Sequence, residues 1–270
     1  MRWLQALRTL RRDRQLMTQD PTPMLPAKAA ALRELIERYP PPYRLAGDLA
    51  IFPMLVNAAR ATSWAGMPVI GVLGSAPLFL VAARYYGAEY GEARTPLSFC
   101  PSGSDFYREI ACVVFTGILP GFSFGFPRLW VDSYDPTPLE LGWYYGFPKS
   151  PATIVFRQDE GMIEVTASDE RGAIFLARSR QRVSLPPRLA TALAFGDGLF
   201  PHTGLRARLR LDRASRASLL QVQRWELPRL DTGGVGGRAR LGLWLEGVTL
   251  SLGLPEKPHR HADGGASGLA

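Results

Sequence analysis

From about residue 66 to residue 252 the apolar residues come in short or alternating runs, each bounded by Gly, Pro, Asp or Ser. An amphipathic helix repeats its apolar positions three and four apart, whereas a half-buried strand alternates with period two. Period-two runs punctuated by turn residues predict strands and tight turns. The candidate strands are 68–73, 78–86, 106–118, 129–134, 139–145, 153–157, 162–167, 173–178, 205–211, 218–227 and 238–252. Asp159-Glu160-Gly161 and the stretch from Ser168 to Gly172 have the lengths that join antiparallel neighbours, so the strands around them form a meander. One helix, 187–195, interrupts the pattern, with Pro187 at its entry where the fixed φ of proline suits a first turn.

Ahead of this β region, Trp3, Leu4, Leu7 and Leu10 stand at helical spacing in a basic segment, and a second helix over 29–38 is stopped by Pro40, Pro41 and Pro42. The chain therefore divides into an N-terminal helical extension (1–42), a β domain (43–256) and a Gly/Ala/His-rich tail (257–270) expected to be disordered. With 270 residues, 46% hydrophobic and 21% charged, a sizeable core can form and the fold class is mainly β. No run is continuously apolar over the ~18 to 20 residues of a membrane-spanning helix, so no transmembrane segment is expected. Two cysteines, Cys100 and Cys112, make neither a disulfide framework nor a metal knuckle, which points to a reducing cytoplasm.

A net charge of +8 invites a nucleic-acid reading. Leu205 to Leu211 alternates, with Arg206, Arg208 and Arg210 on one face, but lacks the interleaved aromatics of a single-strand binder; it reads as a solvated face, and no nucleic-acid partner is expected. Metal ligands are scarce: His202 is alone in the body and His259 and His261 sit in the tail, so no metal site is expected. Gly121-Phe122-Ser123-Phe124-Gly125 matches the nucleophile-elbow spacing, yet Pro127 and a further strand follow where a helix should begin. The glycine-rich stretch 232–237 lacks the spacing and following helix of a phosphate cradle and reads as a hairpin loop.

The strongest signal surrounds Lys149. Of the 32 basic residues only Lys28, Lys149 and Lys257 are lysines, and Lys149 ends an uncharged run containing Trp143, Tyr144, Tyr145 and Phe147. Burial without a partner favours the neutral amine over the ammonium, and a neutral amine is a nucleophile toward carbonyls. The alternative is a lysine at a strand end, with its stem on the aromatics and its head in water.

Gly146-Phe147-Pro148-Lys149, preceded about forty residues earlier by Phe106-Tyr107-Arg108-Glu109-Ile110, resembles the acetoacetate decarboxylase-like family. The stretch from Trp130 to Pro138 also looks like that family's approach to its lysine motif, and the resemblance covers roughly 105–157. It implies an antiparallel double barrel or cone, a central closed pocket, homo-oligomeric assembly and no cofactor. It further implies that Lys149 is the iminium-forming lysine and Glu109 the acidic residue beside it, with Arg108, Arg84, Trp143, Tyr145 and Phe147 around the substrate. Ser150 stands where family decarboxylases carry a second lysine. The implied activity is decarboxylation of a small oxo acid through a Schiff base, or an aldol or dehydration reaction on the same imine. A non-catalytic relative that binds a small or lipophilic ligand in an aromatic pocket is the alternative.

Overall fold

The computed structural model describes residues 34–97, 107–117, 123–133, 149–186, 197–199, 206–228 and 235–253, together with 138, 140, 142 and 147. The N-terminal helix, most of the second, the helix expected over 187–195, Cys100, His202 and the tail lie outside these residues. Among them are the last helical residues of the second helix, 34–38, and a helix over Ala58–Ala65, capped by the Asn57 side chain and by Gly66 in the left-handed region. No described helix is long and apolar enough to cross a membrane.

The rest is strand: β1 (Tyr43–Asn57), β2 (Ser75–Tyr90), β3 (Thr95–Pro96), β4 (Tyr107–Gly117), β5 (Ser123–Ser133), β6 (Lys149–Pro151), β7 (Thr153–Asp159), β8 (Met162–Asp169), β9 (Gly172–Leu185), β10 (Asp197–Leu199), β11 (Arg206–Arg213), β12 (Arg216–Glu226) and β13 (Leu241–Leu252). The sheet runs β1-β2-β4-β5-β10-β11-β13, and β13 returns to pair antiparallel with β1, which closes a ring. From β13 it also continues through β12, β9, β8 and β7. β13 serves both paths because β12 pairs with its first half and β11 with its second. The fold is mainly β, as expected. Its pairings are antiparallel apart from two, β5 with β6 and β5 with β10, which run parallel.

The shared strands are buried on both faces. Leu49 and Ile51 of β1, Ala111 and Val113 of β4, Leu129 and Val131 of β5, and Leu245 of β13 point into the ring. Their neighbours Ala50, Phe52, Ile110, Cys112, Trp130 and Trp244 point the other way, onto Ile154, Ile163, Val165 and Phe175 of the β7–β9 sheet. Successive side chains alternate between faces, so one strand can build two cores, and each then reads as a near-continuous apolar run such as Ala76–Ala83.

Two sequence expectations fail here. Residues 68–73 form no strand beyond an isolated bridge at Val72, whereas β1, unforeseen, is one of the longest strands. β1 carries Gly47, Asp48 and Pro53, which are poor strand residues. Each has a local reason. Gly47 sits at a bulge where a Cβ would lie 2.2 Å from the Arg84 carbonyl oxygen, Asp48 accepts the Gly247 N–H at 2.8 Å, and Pro53 falls past the last β1–β13 pair. The other failure is 139–145: residues 138, 140 and 142 are helical. The Gly-x-Ser-x-Gly serine lies at the start of β5, which runs on to Ser133, so a strand and not a helix follows the serine directly.

Phe175 packs against the rings of Phe52 and Trp225, 6.0 and 5.3 Å away, and is almost fully buried. Phe175→Ala should cost about 3–5 kcal/mol in guanidinium denaturation. Val183→Ala, on the same strand but 53% exposed, should change stability by less than ~0.5 kcal/mol. Equal effects would mean that β9 does not close a second core.

Candidate functional site

The strand period sorts the residues of β4. Tyr107 and Glu109 share the face of Ala111 and point into the ring, so Arg108 between them must point out. β2 runs antiparallel alongside, with Tyr85 directly opposite Tyr107, and the two rings stack at 5.2 Å with 20° between their planes. β6 pairs parallel with β5 and sets Lys149 opposite Leu129, whose side chain also faces inward. Ser150, next along, is exposed.

These residues meet in a cavity of about 100 Å³. Lys149 Nζ donates to the Tyr107 hydroxyl at 2.6 Å and to the Pro138 carbonyl at 3.2 Å, and lies 3.3 Å from Glu109 Oε2. The Tyr107 hydroxyl in turn donates to the same Glu109 oxygen. The lysine side chain is 8% exposed and the glutamate 16%. The strand-end lysine with its head in water is therefore not what the chain builds. Nor is the amine unpartnered, as a reading of its apolar flanks suggests: its proton has a phenol and a carboxylate as neighbours inside the cavity. Phe147 stands 5.5 Å from Nζ and packs edge-on against Phe126. The remaining wall is aliphatic, with Leu45, Leu49, Val81, Val113, Leu209 and Leu250 among its members.

The local chain fixes the lysine's path. Phe147 N–H donates to the Gly142 carbonyl at 3.0 Å, and Lys149 N–H to the Phe147 carbonyl at 2.8 Å, folding the segment back onto itself. The lysine stem then crosses Gly142, where an added Cβ would lie 2.4 Å from Cδ and 2.5 Å from Cε. The helical residue Gly142 thus supplies a bare patch of backbone for the stem to lie on.

Of the residues expected around the substrate, Lys149, Glu109 and Phe147 line one cavity. Trp143 and Tyr145 lie outside the described residues. Arg84 and Arg108 do not line it, because both sit on the outward face of their strands. Arg84 pairs with Asp48 at 2.9 Å and lies over the Trp244 ring, while Arg108 pairs with Asp132 at 3.3 Å and donates to the Ile154 carbonyl. Arg84 also donates to the Gln158 side chain of β7 at 2.8 Å, so each arginine ties the ring to the outer sheet, and no arginine lines the cavity among the described residues. Tyr107 and Tyr85 are the members that sequence reasoning passed over. The signal was present for Tyr107, two residues before Glu109 on a strand and hence on the same face.

Burial, the larger cause, and the charge of Glu109 both push the phenols of Tyr85 and Tyr107 well above the ordinary tyrosine value. Both are neutral hydroxyls through the physiological range, so Tyr107 bridges lysine and glutamate as donor to one and acceptor from the other.

No family model matches the chain, and no curated protein matches it. Solved structures do. The acetoacetate decarboxylase of Legionella pneumophila superposes with a TM-score of 0.59 at 14% identity, over 81% of this chain and 88% of that one. An acetoacetate decarboxylase-like enzyme of Sphingomonas wittichii gives 0.57 at 12% identity, over 80% and 92%. The enduracididine biosynthesis enzyme MppR, complexed with the condensation product of pyruvate and imidazole 4-carboxaldehyde, gives 0.53 at 14%, over 79% and 87%. The chain has the acetoacetate decarboxylase-like fold.

A phenol whose folded-state value is raised keeps its proton past pH ~10, where an unfolded tyrosine loses it. The stabilisation from Tyr85 and Tyr107 is thus complete below about pH 10 and is lost as pH climbs above it. In an alkaline titration followed by phenolate absorbance, these two should ionise only with unfolding. Tyr107→Phe should remove one phenolate from that unfolding-linked step; an unchanged step would disprove the assignment.

Proposed function

We propose that Lys149 forms an imine with the ketone carbon of a small oxo acid, and that the favoured reaction is loss of carbon dioxide from a 3-oxo acid. The observation that carries this reading is one amine in a small apolar cavity, 2.6 Å from a neutral phenol and 3.3 Å from a carboxylate. Glu109 takes a proton from the ammonium, directly or through Tyr107, and frees the lone pair. The amine adds to the ketone carbon; the relay then protonates the resulting hydroxyl, the C–O bond breaks, and water leaves an iminium.

In a 3-oxo acid the bond to the carboxylate lies one atom from the iminium carbon. Its electron pair moves in to form an enamine as carbon dioxide departs. Protonation of the enamine carbon and hydrolysis return the ketone product and the lysine. The aliphatic wall favours this step, because a carboxylate is poorly solvated there and its charge disappears in the reaction. No cofactor is needed, since the iminium is itself the electron sink; homo-oligomeric assembly belongs to the same reading.

A second reading uses the same imine with a 2-oxo acid. There the iminium acidifies the neighbouring C–H, and aldol addition or dehydration follows. The condensation product of pyruvate held by MppR favours it. A non-catalytic pocket for a lipophilic ligand is disfavoured by size: about 100 Å³ is well under the ~300–1,000 Å³ of drug-sized sites.

Borohydride added with acetoacetate should leave a reduced adduct on Lys149, identified by peptide mass, and Lys149→Ala should abolish it. Absence of an adduct with both acetoacetate and pyruvate would refute the imine; release of carbon dioxide from acetoacetate separates decarboxylation from the aldol reading. Glu109→Gln and Tyr107→Phe should each slow turnover by about 10²- to 10⁴-fold, the usual weight of a positioned acid or base. Gly142→Ala should also impair turnover, by pushing the lysine stem off its path.

A further inference from the structure

The cavity lies inside the wall made by β1, β13 and β11, and the outer face of the same wall carries a second concavity of about 530 Å³. Strand alternation gives the two sides opposite character: Leu45, Leu209 and Leu250 face in, whereas Arg44, Arg210 and Ser251 face out. Arg44 stands opposite Ser251, and Ser251 opposite Arg210, so the three form one row across three strands.

Residue 213 would face inward if β11 were regular. A bulge between Leu211 and Arg213 sets Arg213 opposite Thr249 and returns it to the outer face. Arg94 arrives from the turn between β2 and β3, with φ of 55°, a left-handed conformation seldom adopted by residues other than glycine. Four guanidinium groups are thus gathered around one concavity.

The compensation for them is small. Asp212 is the one carboxylate in the lining; it already holds Arg210 Nε at 2.9 Å and accepts the Ser251 hydroxyl. Within the lining, four positive charges less one negative leaves three; Glu89, opposite Arg44 on β2, stands outside it. Arg44 Nη1 is closed off from solvent and has no hydrogen-bond partner among the protein atoms, which leaves it a donor in want of an acceptor.

We propose that this outer-wall cleft binds a small organic diphosphate. A phosphate group brings ~1.5 to 2 negative charges, so two match the excess of three positive charges in the lining better than one does. Guanidinium forks meet phosphate oxygens in bidentate geometry. The volume, within the range of small-molecule sites, exceeds what two phosphates fill and leaves room for an organic group between the strands and the Arg94 turn.

Isothermal titration of the full chain with inorganic diphosphate at fixed ionic strength tests this directly. Diphosphate should bind at least tenfold more tightly than orthophosphate. Arg213→Gln, at an exposed position that need not disturb folding, and Arg44→Gln should each weaken it tenfold or more, with circular dichroism unchanged for Arg213→Gln. Arg171→Gln, an exposed change in the turn between β8 and β9, should leave affinity unaltered. So should Lys149→Ala, which separates this site from the cavity. Equal affinity for the two anions, or an equal loss in Arg171→Gln, would overturn the proposal and reduce the effect to general surface charge. A duplex oligonucleotide that binds more tightly than diphosphate and is displaced by salt alone would overturn it in favour of a nucleic-acid surface.

Discussion

Everything in the ring depends on strands whose middle segments have water on neither face. β1, β2, β4, β5 and β13 each send alternate side chains into the ring and onto the outer sheet, and both destinations are apolar. Burial on both sides fixes register strongly, because a one-residue slip would exchange two complete sets of core residues. It also limits where a polar side chain can go. Within such a wall a charged residue must find a partner across the ring or across the sheet, since none is available from solvent.

The charged residues obey that limit in two ways. Facing outward, Arg84 meets Asp48 and Arg108 meets Asp132, and the second pair also receives the Ile154 N–H on Asp132, pinning β7 to the wall. Facing inward, Glu109, Tyr107 and Lys149 satisfy one another from β4 and β6. The parallel pairing of β5 with β6 is what delivers the lysine: it enters beside the inward-facing Leu129, opposite the strand that carries the glutamate. Position 150 then belongs to the other side of β6, so Ser150 at that position is an exposed residue rather than a member of the cavity.

What could be read from the chain divides along the same line. Turn residues and period-two runs revealed the β class, the β7–β8–β9 meander and most strand positions, because each depends on a few adjacent residues. The rarity of lysine and its aromatic flank singled out Lys149, whereas Glu109 came only from the resemblance of its strand to a family motif. Arg84 and Arg108 were misplaced because a contact across the chain says nothing of which face a side chain takes until the strand's phase is anchored; once Glu109 points inward, Arg108 cannot. The helical state of residues 138, 140 and 142 was missed because the sequence from Leu139 to Tyr145 reads as a strand, while the need for a bare Gly142 is set by Lys149, seven residues further on. β1 escaped notice because its glycine, aspartate and proline answer to β2, β13 and Gly247, all distant in sequence.

The inward triad makes a poor stabilising device. Two ions moved from water into an aliphatic cavity lose several kcal/mol of solvation each, and well-packed apolar residues of similar volume often do as well or better than a buried pair. Here the cost is compounded by the local design. Gly142 gives up its side chain to let the lysine stem pass, and Tyr85 and Tyr107 bury two hydroxyl-bearing rings beside it. A chain selected for stability alone has simpler ways to fill about 100 Å³. An amine, a phenol and a carboxylate within 3.3 Å of one another in a largely enclosed space, each able to pass a proton to the next, are instead what the proposed carbonyl addition requires, because addition and water loss both need protons moved at one carbon.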